Sequence, residues 1–320
     1  MSVSTIGKDA THAEIVRREV ILDILQDRTS LLSQPFFQCI WLPHERTPWP
    51  KQDHQTLEPP IHFLGSLNNS QRTAVKKILS SDDDNRVVMI HGPPGTGKTT
   101  VIAAAVTSFH QAYPKRSVWI AAQSNVAVKN IAEKFCDAKF HDFNLLVSWD
   151  FHFDWCVCFP FKLLSFLIFT RHEHLYGGVL QARLIRSDSF NEHIVGAERR
   201  LLGTRVILCT LAMLSNPSIS VFTRLAPVNT VIFDEASQIE VGNYVPVFHC
   251  HSKALRKVVF IGDHKQCLYI LFSSMTSYQL RYIVAPYGQE DIRGLQSVFE
   301  FDHLREKAVF LDTQCMLFFF

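Results

Sequence analysis

The chain has 320 residues, enough for one or two domains with a sizeable core. Hydrophobic residues make up 47% and charged residues 19%, a balance that excludes an intrinsically disordered chain. A formal net charge of only +2 excludes binding to nucleic acid by global charge, so any such surface has to be local. The 8 cysteines, at positions 39, 136, 156, 158, 209, 250, 267 and 315, lack the paired Cys-x-x-Cys spacing of a zinc site, which points to reduced thiols inside a cell. Residues 1–20 mix Lys8, Asp9, Glu14, Arg17, Arg18 and Glu19 without an apolar centre and are no signal peptide. The longest apolar run, 156–170, is broken by Pro160 and Lys162 and is shorter than the roughly 20 residues of a membrane helix. These features predict a location in the cytoplasm or nucleus and no membrane partner.

Apolar residues at helical spacing (Ile15, Val16, Val20, Ile21, Ile24, Leu25) predict a helix over 13–27. Pro43, Pro48, Pro50, Pro59 and Pro60 predict a linker, since proline fixes φ and removes donors. The expected organisation is therefore an N-terminal helical appendage with its linker over 1–60 and a main domain over 61–320. Within the latter the pattern becomes regular: a helix over 70–79, a buried strand over 86–91, a Gly-rich turn, and a helix from Lys98 to about 111. A strand over 117–122, a helix over 125–136 and further apolar runs at 204–209, 230–233 and 258–261 follow. Strands alternating with helices predict an α/β fold with a parallel sheet and helices on both faces.

The first chemical signature is Gly92, Pro93, Pro94, Gly95, Thr96, Gly97, Lys98 and Thr99, followed by Thr100, between a strand and a helix. Glycines let the backbone wrap a phosphate chain with its N–H groups inward, Lys98 supplies charge for the β- and γ-phosphates, and Thr99 offers a hydroxyl to Mg²⁺. The helix N-terminus adds its positive end, and the expected cofactors are ATP and Mg²⁺. The second signature, the apolar run 231–233 leading into Asp234 and Glu235, puts two acids at the carboxyl end of a strand. Asp234 is expected to hold Mg²⁺ and Glu235 to orient and deprotonate the attacking water.

The third is the strand 258–261 delivering Gly262, Asp263, His264, Lys265 and Gln266, whose amide can donate to a γ-phosphate while accepting from water. The fourth is Leu67, Asn68, Asn69, Ser70 and Gln71. The Gln71 amide can pair with an adenine edge, while Asn69 or Ser70 would cap a helix. His91 reads as a strand-end packing residue, and His172 with His174 lacks a third ligand at metal-site spacing.

Taken in order, Leu-Asn-x-Ser-Gln, Gly-Pro-Pro-Gly-Thr-Gly-Lys-Thr, Ala-Gln-Ser-Asn-Val-Ala-Val, Asp-Glu-Ala-Ser-Gln and Gly-Asp-His-Lys-Gln resemble the superfamily 1 helicases of the RNA-surveillance (up-frameshift) type, over roughly residues 61–314. The resemblance implies a RecA-like P-loop NTPase domain and ATP-driven translocation along single-stranded RNA or DNA. By position it implies that Gln71 reads adenine and that Gln266 senses the γ-phosphate. It further implies that Ser124, Asn125 and Thr210 touch the nucleic-acid backbone, although capping also accounts for Ser124 and Asn125. A monomer is expected. The alternative reading is a non-catalytic module whose protein or RNA binding depends on bound nucleotide; a generic P-loop kinase is disfavoured by Gln71 and Gln266.

Three stretches depart from the family pattern. Residues 156–170 and 267–284 interrupt it, and Gln314-Cys315-Met316-Leu317 replaces the Gln-Tyr-Arg-Met that leads into a second motor domain. That domain, with its arginines, is expected to be missing, which predicts slow hydrolysis. Each departure begins at a cysteine (Cys156, Cys267, Cys315), and Cys-Met can be encoded as TGT-ATG, which contains a splice-donor string. Translated introns are the favoured reading, with lineage-specific loops and a natural truncation as the alternative.

Overall fold

The computed structural model describes residues 12–29, 31–44, 48–50, 58–148, 178–190, 194–263 and 297–312. The two interrupting stretches, Gln266 and the cysteines at 156, 267 and 315 lie outside the described residues. The centre is a sheet of β1 (Val87–His91), β2 (Val118–Ala122), β3 (Asn144–Val147), β4 (Leu184–Arg186), β5 (Val206–Thr210), β6 (Thr230–Asp234), β7 (Lys257–Gly262) and β8 (Val309–Phe310). Their spatial order is β4-β3-β5-β2-β6-β7-β1-β8, and every ladder is parallel. The central strands β2, β6 and β7 are buried along their whole length, as continuous apolar runs in a two-sided parallel sheet require. β3, β4 and β8 escape the sequence reading because runs of two to four residues carry too little periodicity.

Alternation of side chains splits the core into two layers. Val88, Ile90, Ile120, Ile232, Val259 and Ile261 face one layer, which α3 (Asn69–Leu79), α4 (Lys98–Ala112) and α5 (Asn125–Asp137) close with Val75, Ile102 and Ile131. Met89, Trp119, Phe233 and Phe260 face the other. Trp119 is fully buried there, and its indole Nε1 donates to the Ala226 carbonyl at 2.9 Å. This second layer also receives α1 (His12–Leu25) and α2 (Pro35–Trp41), through Val16, Val20, Phe36 and Ile40.

The helices expected in an appendage thus lie on a face of the sheet domain. Arg17 Nη1 pairs with Glu240 Oε2 at 3.3 Å and donates to Asn243 Oδ1 at 3.0 Å. Gln34 Nε2 donates to the Phe248 carbonyl at 3.2 Å. From the proline-rich stretch, the Pro50 carbonyl accepts from Arg86 Nη2 at 3.1 Å, and the Arg86 guanidinium lies 6.0 Å from the Trp49 ring centroid. A composition-based reading finds the prolines but not the face they run across.

Phe36, 1% exposed and 4.9 Å from the Trp49 ring centroid, tests whether this packing is integral. Phe36→Ala is expected to cost about 3–5 kcal/mol. Chemical denaturation should show one transition moved to lower denaturant, whereas an independent appendage would leave the main midpoint in place.

Candidate functional site

Register gathers the motif-bearing strand ends on one edge. Thr210 of β5 is level with Ala122 of β2, which is level with Asp234 of β6. Across the other ladders, Ile261 of β7 is level with Ile90 of β1, and Gly262 with His91. The phosphate loop, the paired acids, the Gly-Asp turn, Ser124-Asn125 and Thr210 therefore all leave the carboxyl edge of one parallel sheet, the edge where open α/β sheets bind ligands. β7 stands between β1 and β6, so the turn after β7 lies between the phosphate loop and the acids.

The loop is tied down at both ends. The Gly92 N–H donates to the Gly262 carbonyl at 3.0 Å, and Thr96 Oγ1 donates to the Pro93 carbonyl at 2.8 Å. Pro93 and Pro94 are exposed, Gly95 is half-buried, and Thr96 is buried beneath them. Gly97 has φ +82°, a left-handed conformation that favours glycine, and a Cβ there would stand 2.5 Å from Gln71 Nε2. Lys98 opens α4, with Thr99 and Thr100 in its first turn, all three half-buried. Lys98 Nζ donates to the Gly92 carbonyl at 2.7 Å and the Pro93 carbonyl at 3.3 Å. Burial pulls the ammonium pKa down, against the opposing charges of Asp263, Asp234 and Glu235.

Asp234 ends β6 with 6% exposure, and burial raises its carboxyl pKa to about 6. A backbone hydrogen bond from Glu235 and the Lys98 charge act in the other direction. Glu235 has φ +52° and ψ +31°, a left-handed conformation that non-glycine residues adopt at a cost of about 1–3 kcal/mol. Burial raises its pKa too, and Lys98 lowers it. Asp263, 1% exposed, follows Gly262; its backbone N–H donates to Ser237 Oγ at 3.1 Å, and its Oδ1 lies 3.6 Å from His91 Nε2. A Cβ on Gly262 would come within 2.8 Å of the Ser237 backbone nitrogen, so this close approach of the two turns depends on glycine.

The structure adds Ser237, Asp263 and His91 to the residues singled out from sequence. Ser237 and Asp263 were visible only as motif neighbours of Glu235 and Gln266. His91 does pack, with ring centroids 5.1 Å from Phe310 and 6.2 Å from Phe299, and it also faces Asp263.

Gln71 is 3% exposed, and its amide already has protein partners. Its Oε1 accepts from the Asn68 N–H at 3.1 Å, and its Nε2 donates to the Thr96 carbonyl at 2.9 Å. The α3 cap is Asn68, not Asn69 or Ser70: Asn68 Oδ1 accepts from the Gln71 N–H at 2.8 Å, closing a capping box. Ser124 caps α5 by accepting from the Ala127 N–H at 3.1 Å, and Thr210 caps the turn after β5 by accepting from the Met213 N–H at 3.2 Å. Asn125, half-buried, is the first residue of α5.

The buried Asp234 carboxylate makes a signed prediction. Its folded pKa of about 6 lies above the ordinary value of 3.8, so stability falls as pH rises between those two values and stays at the lower level above about 6. Asp234→Asn should therefore raise unfolding stability at pH 7.5 by about 1–3 kcal/mol, seen as a higher melting midpoint, with the gain level down to about pH 6 and shrinking towards pH 5. Thermal melts of both chains across pH 5–8 check this; a pH-independent difference would contradict the burial argument.

Comparison with known proteins agrees with this architecture. The family model described as an AAA domain matches residues 66–146 and 181–273, more than half of the chain. A Regulator of nonsense transcripts 1 homolog from Neurospora crassa is 30% identical over 63% of this chain and 18% of its own length. DNA polymerase alpha-associated DNA helicase A of Saccharomyces cerevisiae is 25% identical over 63% of this chain and 32% of its own. RNA helicase Mov10l1 of Homo sapiens is 40% identical over 24% of this chain and 6% of its own. The chain spans less than a third of the length of each of these relatives. The chain belongs to the AAA-domain family, and the relatives it matches include proteins named as helicases and a regulator of nonsense transcripts.

Proposed function

We propose that the chain is the ATP-binding motor domain of a superfamily 1 helicase, in which ATP hydrolysis drives movement along single-stranded RNA or DNA. The observation that carries this reading is the convergence of the phosphate loop, Asp234, Glu235 and Asp263 on the partly buried Lys98. Phosphoryl transfer asks the protein mainly for positioning and charge, and this cluster supplies both.

In the proposed reaction the loop amides of residues 92–99 and the N-terminus of α4 hold the phosphate chain. Lys98 exchanges its bonds to the Gly92 and Pro93 carbonyls for the β- and γ-phosphate oxygens. Thr99 and Asp234 would hold Mg²⁺, and the oxygen-only donor set fits this ion, which binds through one or two protein groups plus phosphates. Bound there, it would neutralise charge on the β- and γ-phosphate oxygens. Glu235 orients the attacking water and takes its proton, a task suited to a carboxylate whose pKa burial has raised. Gln266 is assigned to the γ-phosphate. Gln71 is assigned to adenine; to meet a base it releases the Asn68 N–H or the Thr96 carbonyl.

Ser124, Asn125 and Thr210 are assigned to the nucleic-acid backbone. As caps, Ser124 and Thr210 use their hydroxyl oxygens as acceptors, so each O–H proton can still be donated to a phosphate. Capping and binding are thus compatible. The cytoplasm or nucleus is the compartment this function implies, and among the described residues no helix is long and apolar enough to cross a membrane.

The test measures ATP binding and turnover with and without single-stranded RNA and DNA. Lys98→Ala should weaken ATP binding at least tenfold. Glu235→Gln should bind ATP within about threefold of the parent yet lose turnover, since a general base typically contributes 10²–10⁴-fold. Binding without any nucleic-acid-stimulated turnover in the parent chain would instead favour the nucleotide-dependent binding module. Ser124→Gly separates capping from contact, because glycine keeps most of a cap's stability. It should lower single-stranded RNA affinity several-fold with an unchanged melting midpoint; unchanged affinity would remove Ser124 from the interface.

A further inference from the structure

At the opposite edge of the sheet lies a cavity of about 280 Å³, where the amino ends of β6 and β7 meet the carboxyl ends of α3 and α4. Ile78, Leu79, Phe109 and Tyr113 give it an apolar floor, and Arg116, Arg256 and Lys257 bring three cations to it. Among the described residues no carboxylate pairs with Arg116 or Arg256. The Arg116 guanidinium instead lies 4.8 Å from the Tyr113 ring centroid, and Arg256 Nη1 donates to the Lys253 and Leu255 carbonyls, both at 2.8 Å. Lys257 is 7% exposed; its Nζ donates to the Ser80 carbonyl at 2.6 Å and the Lys77 carbonyl at 3.1 Å, at the carboxyl end of α3. The carboxylates that act on Lys257 through space, Asp82 and Glu58, do not line the cavity.

One further observation points to a ligand. Tyr113 is 7% exposed, and its buried phenolic oxygen has no hydrogen-bond partner among the described residues. Leaving such a group unpaired is unfavourable, a cost a ligand acceptor would remove. Arg116 and Arg256 bring like charge to the same space without a carboxylate partner among the described residues, and an anion would offset that charge.

We propose that this cavity is a second ligand site, distinct from the phosphate loop, which takes a small anion carried on a flat apolar body of about mononucleotide size. Arg116 and Arg256 hold the anionic head, Tyr113 donates its O–H, and Ile78, Leu79 and Phe109 cover the flat body. Both strands that begin at this cavity, β6 and β7, end at Asp234 and beside Asp263, so a ligand here loads the strands that carry the acids of the first site.

AMP and inorganic phosphate are the probes, titrated by calorimetry without Mg²⁺ into the full chain carrying Lys98→Ala, which disables the phosphate loop. AMP is expected to bind with one-site stoichiometry. Adding Arg116→Gln and Arg256→Gln should weaken it at least tenfold. Adding Tyr113→Phe should weaken it about three- to tenfold without lowering the melting midpoint of the unliganded chain, a combination that a purely structural tyrosine would not give. No saturable AMP binding, or equal affinity with and without the arginine substitutions, would overturn the site. Phosphate binding as tightly as AMP would overturn the apolar part of the ligand.

Discussion

Lys98 carries its ammonium into a partly dehydrated cleft, and the charges of Asp263, Asp234 and Glu235 act against that dehydration. Burial disfavours the charged forms of Lys98, Asp234 and Glu235 alike, and the opposite charges offset part of that cost on each side. The rest of the fold can be understood as what keeps the four charges in place.

Two backbone devices do most of that work. One is the parallel ladder: β7 lies between β1 and β6, so the turn bearing Asp263 is held between the phosphate loop and the acids. The other is the close contact of the Gly262 turn with Ser237, reinforced by the Asp263 N–H bond to Ser237 Oγ. The same Gly262 contributes its carbonyl to the Gly92 N–H. Loop, acids and Gly-Asp turn are therefore mechanically joined before any nucleotide arrives. Glu235 is held in a left-handed conformation at their junction, and strain of this kind persists only where the surroundings over-determine it.

The Gln71 amide has a comparable position on the other side of the loop. It closes the α3 capping box and also bonds the Thr96 carbonyl, so the helix before β1 is linked to the loop after it. A residue assigned to the base thereby also helps shape the phosphate site. The two edges of the sheet differ in charge balance: carboxylates offset Lys98 at the carboxyl edge, whereas Arg116 and Arg256 at the amino edge have no carboxylate partner among the described residues.

The sequence by itself determined the phosphate loop, the acids after a buried strand, the α/β class and most long elements. These signals are local: glycines at fixed spacing, apolar runs and helical periodicity lie within a dozen residues. Only the tertiary structure decided that α1, α2 and Trp49 lie on a face of the sheet, because Arg17 meets Glu240 and Trp49 meets Arg86 across long chain separations. It also decided that Asn68 caps α3, that Glu235 is left-handed, and that Asp263 and Ser237 join the site. Those facts depend on register and on approach distances of about 3 Å, which strand order sets and residue order does not reveal. The phosphate loop was legible as a motif, but what surrounds Lys98 became visible only when the strand ends were set side by side.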